Sequence, residues 1–578
     1  MVKFILGLVT GVLLVFLTFI LLFFTLLRFR EKPPVIADNS VLVLHLSGDI
    51  PEKPPLELPG ILGGGDATLT VSDLWMMLRK AAADPHIRAL VLEPESLGAG
   101  WAKLEEIRAD LEQFHKTGKP VYAYLRAPSA RDYYVALPAD RIYLGDEEPV
   151  YLKGLRAEIM YFKKSLDKLG VTVEVEHAGK YKDFGDMFTR SDMSPETREV
   201  ITSLVTNLYG NLVDRIAAAR KKTPDQVRAI VDQGPFTAQQ ALNAGLVDAL
   251  RFEDQMWGEL GDKMGARPVK IAASQYAMVS PESAGLAGHS HIALIVGAGD
   301  IVRGGPGDDG SGESSLTSYG FNKLLREVGG DSTIRGVVVR IDSPGGEASA
   351  SDEIWREMNL LSKKKPVVIS MSDVAASGGY YMAMTGDPVV AYPQTETGSI
   401  GVVFGKPDLH GLYDKLGVTK DAVQLGKHAD IDSDYTGLTP EEREILRQGI
   451  DENYRDFVGK VAASRHLSYD RTEPLAQGRV WLGSQAKENG LVDELGGLDT
   501  AISLVKKKAN IPAGENVTLM VYPPRESLLN MLLKRSTGAD ALSAMLDARL
   551  QQVFGRVPFH AWMKGGMLRM MPVWVDVR

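Results

Sequence analysis

Two spacings of apolar residues alternate along most of this chain. Short runs that are almost wholly apolar, "VLVLHLSG" at 41–48 and "RALVLEP" at 88–94, have the length and β-branched content of buried strands. Between them lie stretches whose apolar residues return every three or four positions, "SDLWMMLRKAAAD" at 72–84 and "WAKLEEIRADLEQFHKTG" at 101–118, which predicts amphipathic helices. Another apolar run, "KPVYAYLRA" at 119–127, follows. Strands that alternate with helices predict a parallel sheet with helical crossovers, and the fold class is α/β.

The N-terminus breaks this pattern. "FILGLVTGVLLVFLTFILLFFTLL", residues 4–27, contains no charge. At ~1.5 Å per residue it is long enough for a hydrocarbon core of ~30 Å. It exceeds the apolar core of a secretory signal, and "RFREKPP" follows it in place of a small-residue cleavage site, so it reads as one uncleaved transmembrane helix. Lys3 precedes the span while Arg28, Arg30 and Lys32 follow it, a count that leans weakly toward a cytoplasmic body.

The body is a tandem duplication. "DPHIRALVLEP" from Asp84 pairs with "DSTIRGVVVRI" from Asp331 at an offset of 247. The same offset relates Tyr133-Tyr134 to Tyr380-Tyr381, "KLGVT" at 168–172 to "KLGVT" at 415–419, and Gly179 to Gly426. "AGLVDAL" and "NGLVDEL" correspond at an offset of 245. A register held over so long a stretch gives four parts: an anchor in 1–36, one copy in 37–285, a second in 286–510, and a tail in 511–578. Each copy carries a Gly-rich stretch, "GILGGGD" or "RGGPGDDGSGES", that reads as mobile loop. The tail holds a strand-like "ENVTLMVYPP" and an amphipathic stretch, "ESLLNMLLKRSTGADALSAMLDARLQQVFG", whose spacing suits packing or oligomer contact.

Charge and composition narrow the function. A net charge of -9 with interspersed signs leaves no basic face for nucleic acid. The absence of cysteine removes disulfides, thiol nucleophiles and thiolate metal sites, and the ten histidines show no ligand spacing, so no metal and no cofactor is expected.

Comparison of the copies locates the chemistry. "DVAASGGYYMA" in the second copy stands opposite "RAPSARDYYVA" in the first, so Ser377 faces Ala130, and Ser129 is one place off without glycines behind it. The difference reverses at "HAGKYKDFGD" against "QLGKHADIDS": Lys180 keeps its counterpart in Lys427, while Lys182 faces Ala429. One copy keeps a serine and the other a lysine, as a Ser/Lys pair assembled once per chain would require. A neutral lysine can accept the serine proton, provided that burial lowers its pKa from the ordinary ~10.4, and Tyr181 and Phe184 supply an apolar neighbourhood. Gly345-Gly346, in "DSPGGEA" after a predicted strand, can turn backbone amides toward a developing oxyanion, and the first copy lacks this pair.

"DSPGG", "ASGGYYMA", "TGSIGV" (397–402) and "GKYKD" together resemble the signal peptide peptidase A family in its long, duplicated form, over roughly residues 40–510. The resemblance implies a crotonase-like, or Clp-protease-like, fold in each copy and a membrane-anchored serine endopeptidase that degrades remnant signal peptides. It implies Ser377 as nucleophile, Lys182 as base with Lys180 the runner-up, and Ser399 as the residue orienting the lysine. The amides of Gly378, Gly345 and Gly346 would form the oxyanion hole. It further implies a homotetramer in the bacterial cytoplasmic membrane, a body on the periplasmic side, and a small or apolar substrate residue beside the scissile bond. Other readings are a crotonase-like acyl-CoA enzyme, a non-catalytic membrane scaffold with a protease fold, and a Ser-His-Asp triad through His410 or His428.

Overall fold

The computed structural model describes residues 35–54, 68–305, 308, 315–524, 567–571 and 576–577, with a few isolated positions between 7 and 18. The predicted span at 4–27 apart from those positions, the Gly-rich stretches over most of their length, and the amphipathic stretch after 524 lie outside the described residues. Among the described residues no helix is long and apolar enough to cross a membrane.

The duplication is visible in the strand order. In the first copy the strands run Ala249–Leu250, Arg141–Leu144, Val121–Leu125, Ile87–Leu97, Ser40–Gly48 and Val269–Ala272, all parallel. The second repeats this order with Glu494–Leu495, Val389–Ala391, Val367–Ala376, Ile334–Ser343, Ser290–Ala298 and Val517–Tyr522. The sheet of the second copy therefore extends through "ENVTLMVYPP" to Tyr522. Burial on both faces explains the near-continuous apolar runs of these strands, and each copy packs its own core.

Local chemistry sets the helix ends. Thr70 caps Val71–Ala83 in a capping box with Asp73. The long helices Pro195–Arg220 and Pro440–Arg465 start alike, with Ser194 or Thr439 as N-cap and proline in the first turn, where its missing N–H costs nothing.

Charged side chains buried between the copies fix their arrangement. Arg340 of the second copy meets Glu52 at 2.8 Å and Glu106 at 2.5 Å, both from the N-terminal half, with Ser370 and Ser372 taking its remaining N–H groups. Lys103 reaches Asp342 at 2.9 Å, and Asp373 accepts from the amides of Gly100 and Lys103, capping the helix Trp101–His115 across the junction. A third, mixed sheet crosses the junction in the order Ser315–Thr317, Asp300–Val302, Gly345–Glu347, Met567–Met570, Val402–Asp408 and Thr172–Ala178. Its antiparallel pair Thr172–Ala178 with Val402–Asp408, Ala178 opposite Val402, carries the end of the lysine-bearing segment to the second copy.

Candidate active site

Strand Val367–Ala376 ends at Ser377, which sits at φ +54°, ψ −113° before the short helix Gly378–Met382. A side-chain-bearing residue rarely occupies that conformation. It is held there because the Ser377 amide donates to Gly398 O at 2.8 Å and the Tyr381 amide to Ser377 O at 2.8 Å. The tight turn between strand and helix lifts the hydroxyl off the sheet end.

Lys182 arrives from the first copy. Past Ala178, the Tyr181 amide donates to Gln477 O at 2.7 Å and the Lys180 amide to Gln477 Oε1 at 3.0 Å, so the second copy grips the loop by its backbone. Arg479, lying against the Tyr181 ring and paired with Glu199, braces the same loop. Gly478 makes the approach possible: a Cβ there would lie 2.6 Å from the Lys182 Cβ, and its φ of +76° also favours glycine.

The two residues kept by different copies meet. Lys182 Nζ lies 2.8 Å from Ser377 Oγ, 2.9 Å from Ser399 O and 2.9 Å from Ser399 Oγ. Both Lys182 and Ser377 are completely buried. Burial holds the Lys182 amine well below the ordinary lysine range, opposed by Asp183 and assisted by the positive charge of Arg569. A neutral amine has two N–H donors and one lone pair. The contacts match that valence: two donors to the Ser399 oxygens, and a lone pair facing the Ser377 hydroxyl. Asp183 beside it is itself pushed up to about 6 by burial.

The glycines divide their tasks. The Gly345 amide donates to Ser343 Oγ at 3.2 Å, so this member of the predicted oxyanion pair is already occupied. Gly346, the next residue, lies opposite both Ile301 and Arg569 in the mixed sheet, and Gly378 opens the helix after the serine.

The alternatives have other partners. Lys180 is exposed, over the Tyr181 ring and 3.9 Å from Glu196. Lys427 is exposed beside Glu441. Ser129 is the N-cap of Ala130–Ala136, its hydroxyl donating to Asp132. His410 stacks on Tyr435 and lies near Asp414, and His428 faces Glu441 and Glu442, so neither is directed at Ser377. The sequence reading missed Gly478 and Gln477, which hold the lysine loop, and Arg569, buried beside the site. Gly478 carried a signal in retrospect, as a glycine after a short polar turn.

Comparison with known proteins agrees with this geometry. Residues 113–267 and 359–512 each match Peptidase family S49. The chain is 33% identical to "Serine protease SPPA, chloroplastic" of Arabidopsis thaliana over 90% of this chain and 79% of that protein. It is 31% identical to "Protease 4" of Salmonella typhi over 89% and 86%. A protein of Enterococcus faecium provisionally named as a signal peptide peptidase SppA is 35% identical over 35% of this chain and 60% of its own length. A ClpP1 mutant from Listeria monocytogenes, at 14% identity and a TM-score of 0.22, covers 36% of this chain and 94% of that one, a likeness too slight to bear on the fold. With both copies matched and relatives aligned nearly end to end, the chain belongs to peptidase family S49 and is a serine protease.

Proposed function

We propose that Ser377 and Lys182 form the catalytic dyad of an endopeptidase that degrades remnant signal peptides. The observation that carries the reading is the 2.8 Å contact between Lys182 Nζ and Ser377 Oγ, deep in the protein and supplied by opposite copies. The Ser377 O–H proton passes to the neutral Nζ as Oγ attacks the peptide carbonyl carbon. The carbonyl electron pair moves onto oxygen, where the Gly378 and Gly346 amides stabilise it, each such donor contributing ~10²–10³ in rate. Collapse of the intermediate breaks the C–N bond, and the lysine ammonium gives its proton to the leaving amine. Water, deprotonated by the same amine, then releases the acyl group from Ser377. Ser399 directs the lone pair by holding both N–H groups.

The name of the Enterococcus relative supports signal peptides as the substrate class. Residues 4–27 are the segment that would tether the enzyme to the cytoplasmic membrane, with the body in the periplasm and four chains in the assembly. A crotonase-like acyl-CoA enzyme has no use for a lysine against a serine, so the peptidase reading stands above it. Mapping a fluorophosphonate adduct tests the dyad: labelling at Ser377 that disappears in Lys182→Ala is the expected result. Labelling elsewhere, or labelling indifferent to Lys182, overturns it.

A further inference from the structure

The C-terminal strand Met567–Met570 lies as an extended substrate would. It pairs antiparallel with Gly345–Glu347 on one side, Arg569 opposite Gly346, and with Val402–Asp408 on the other, Leu568 opposite Val403. Past its end the Met571 amide donates to Pro344 O at 2.8 Å. The position that a Cβ would take on Gly345 is 2.0 Å from the Arg569 carbonyl oxygen and 2.6 Å from the Gly378 amide nitrogen, so that oxygen lies close to the amide that follows Ser377. Strand addition of this kind fixes which side chain enters which pocket. The Arg569 side chain therefore marks the pocket for the substrate residue whose carbonyl is attacked.

That pocket holds a guanidinium. The Arg569 guanidinium lies over the Tyr381 ring at 3.7 Å, Nη1 donates to Ala348 O at 3.1 Å, and Nη2 donates to Asn453 Oδ1 at 3.4 Å and lies 3.8 Å from Asp456. The Tyr381 hydroxyl stands 2.5 Å from Asp352 and 3.0 Å from Asp456. Among the described residues, and apart from Arg569 itself, the cation paired with the two aspartates is Lys460, at 2.6 Å from Asp456 and 3.3 Å from Asp352. One negative charge is left for a visitor to cancel.

The first copy shows what the pocket looks like without that vacancy. Across the offsets, Tyr134 stands for Tyr381, Glu105 for Asp352, and Asn211 for Asp456. There Glu105 is paired by Arg108 and Arg215 of the same copy, and Arg108 lies over the Tyr134 ring at 5.7 Å. In the second copy Trp355 replaces that arginine, Asp456 adds a carboxylate, and Asn453 replaces the buried Leu208. All three changes move the pocket toward accepting a basic group from outside.

We infer that this pocket selects a basic residue, arginine above lysine, immediately before the scissile bond, with Asp456 and Tyr381 as the specificity determinants. Arginine is preferred because its flat guanidinium stacks on Tyr381 while its fork reaches Asn453 and the Ala348 carbonyl together. This rests on Ser377 acting as the nucleophile, and it departs from the small or apolar residue that family resemblance implies.

The test uses the full chain and peptides that differ only in arginine, lysine, citrulline or leucine at that position. Arginine should exceed leucine in kcat/KM by ~10²-fold, with citrulline, which keeps the shape without the charge, near leucine. Asp456→Asn should lower the arginine-to-leucine ratio by ~2–5-fold. Arg569→Ala, which frees the resident strand from the pocket, should raise the rate on the arginine peptide. A leucine peptide cut as well as the arginine peptide, in a reaction abolished by Ser377→Ala, overturns the inference and leaves the peptidase reading standing. Failure to cut the arginine peptide also overturns it, and loss of fluorophosphonate labelling at Ser377 in that case shows that the peptidase reading has fallen too.

Discussion

Lys182→Met separates the chemistry of the buried lysine from its packing. Methionine keeps an unbranched apolar stem between Gly401 and Gly478 and drops only the amine. Without the base, kcat should fall by ~10²–10⁴ with KM little changed. The effect on stability depends on pH. In the folded chain burial lowers the pKa of Lys182, whereas in the unfolded chain it titrates near ~10.4. Between those two values the unfolded chain binds one proton more than the folded chain. Wild-type stability therefore rises by ~1.4 kcal/mol per pH unit relative to the variant, and the penalty is greatest at the acid end of the window. Each pH unit inside that window therefore adds the same increment to the difference. The two N–H contacts with Ser399, ~1 kcal/mol each, offset part of it at every pH and so do not alter the slope. Thermal unfolding midpoints of both chains at pH 7, 8 and 9 measure it, with the wild type gaining on Lys182→Met as pH rises. Parallel profiles would refute the reasoning, because they would mean that Lys182 is protonated in the folded chain and unable to take the Ser377 proton.

Ser377→Ala should abolish peptide cleavage while leaving the unfolding midpoint within a few degrees of wild type; retained cleavage moves the nucleophile elsewhere. Ser399→Ala removes one of two acceptors for the amine and should lower kcat by ~10-fold without raising KM, since the residue positions Lys182 and does not touch substrate. Lys180→Ala should change kcat/KM by less than ~2-fold, as an exposed side chain 3.9 Å from its carboxylate partner contributes little. Arg340→Met leaves Glu52 and Glu106 buried without their cation and should destabilise the chain by ~3–5 kcal/mol in denaturant unfolding. The added replacements Glu52→Leu and Glu106→Leu should recover much of that loss.

The two copies, their alternating strands and helices and the Ser377–Lys182 pair were legible in the sequence because each leaves a local trace. Apolar runs mark strands buried on both faces, a constant offset marks duplication, and reciprocal losses at Ala130 and Ala429 mark a shared site. Ser399 was reached only through family resemblance, for nothing in "TGSIG" says that its hydroxyl faces an amine. What brings the lysine across was not legible: Gln477, Gly478 and the pairing of Thr172–Ala178 with Val402–Asp408 act between segments more than two hundred residues apart. Gly345 and Gly346 read as equivalent donors, yet Ser343 takes the first amide. The tail was least legible. "MLRM" is too short to show periodicity, and its place beside Gly345 depends on a gap in the mixed sheet, between Gly345–Glu347 and Val402–Asp408, that no local pattern reveals. The acidic pocket was written in the same offsets that exposed the dyad, at Trp355, Asn453 and Asp456, but without a structure these substitutions were three among many.

The division of the dyad between the copies has a consequence for synthesis. A ribosome delivers Lys182 early and Ser377 nearly two hundred residues later, and the Gln477–Gly478 turn that grips the lysine loop later still. Throughout that interval the emerging polypeptide lacks one half of the Lys182–Ser377 contact, whatever the first copy has folded into. On the dyad proposed above, a product that stops before Ser377 has no proteolytic activity, because the hydroxyl that meets Lys182 is missing.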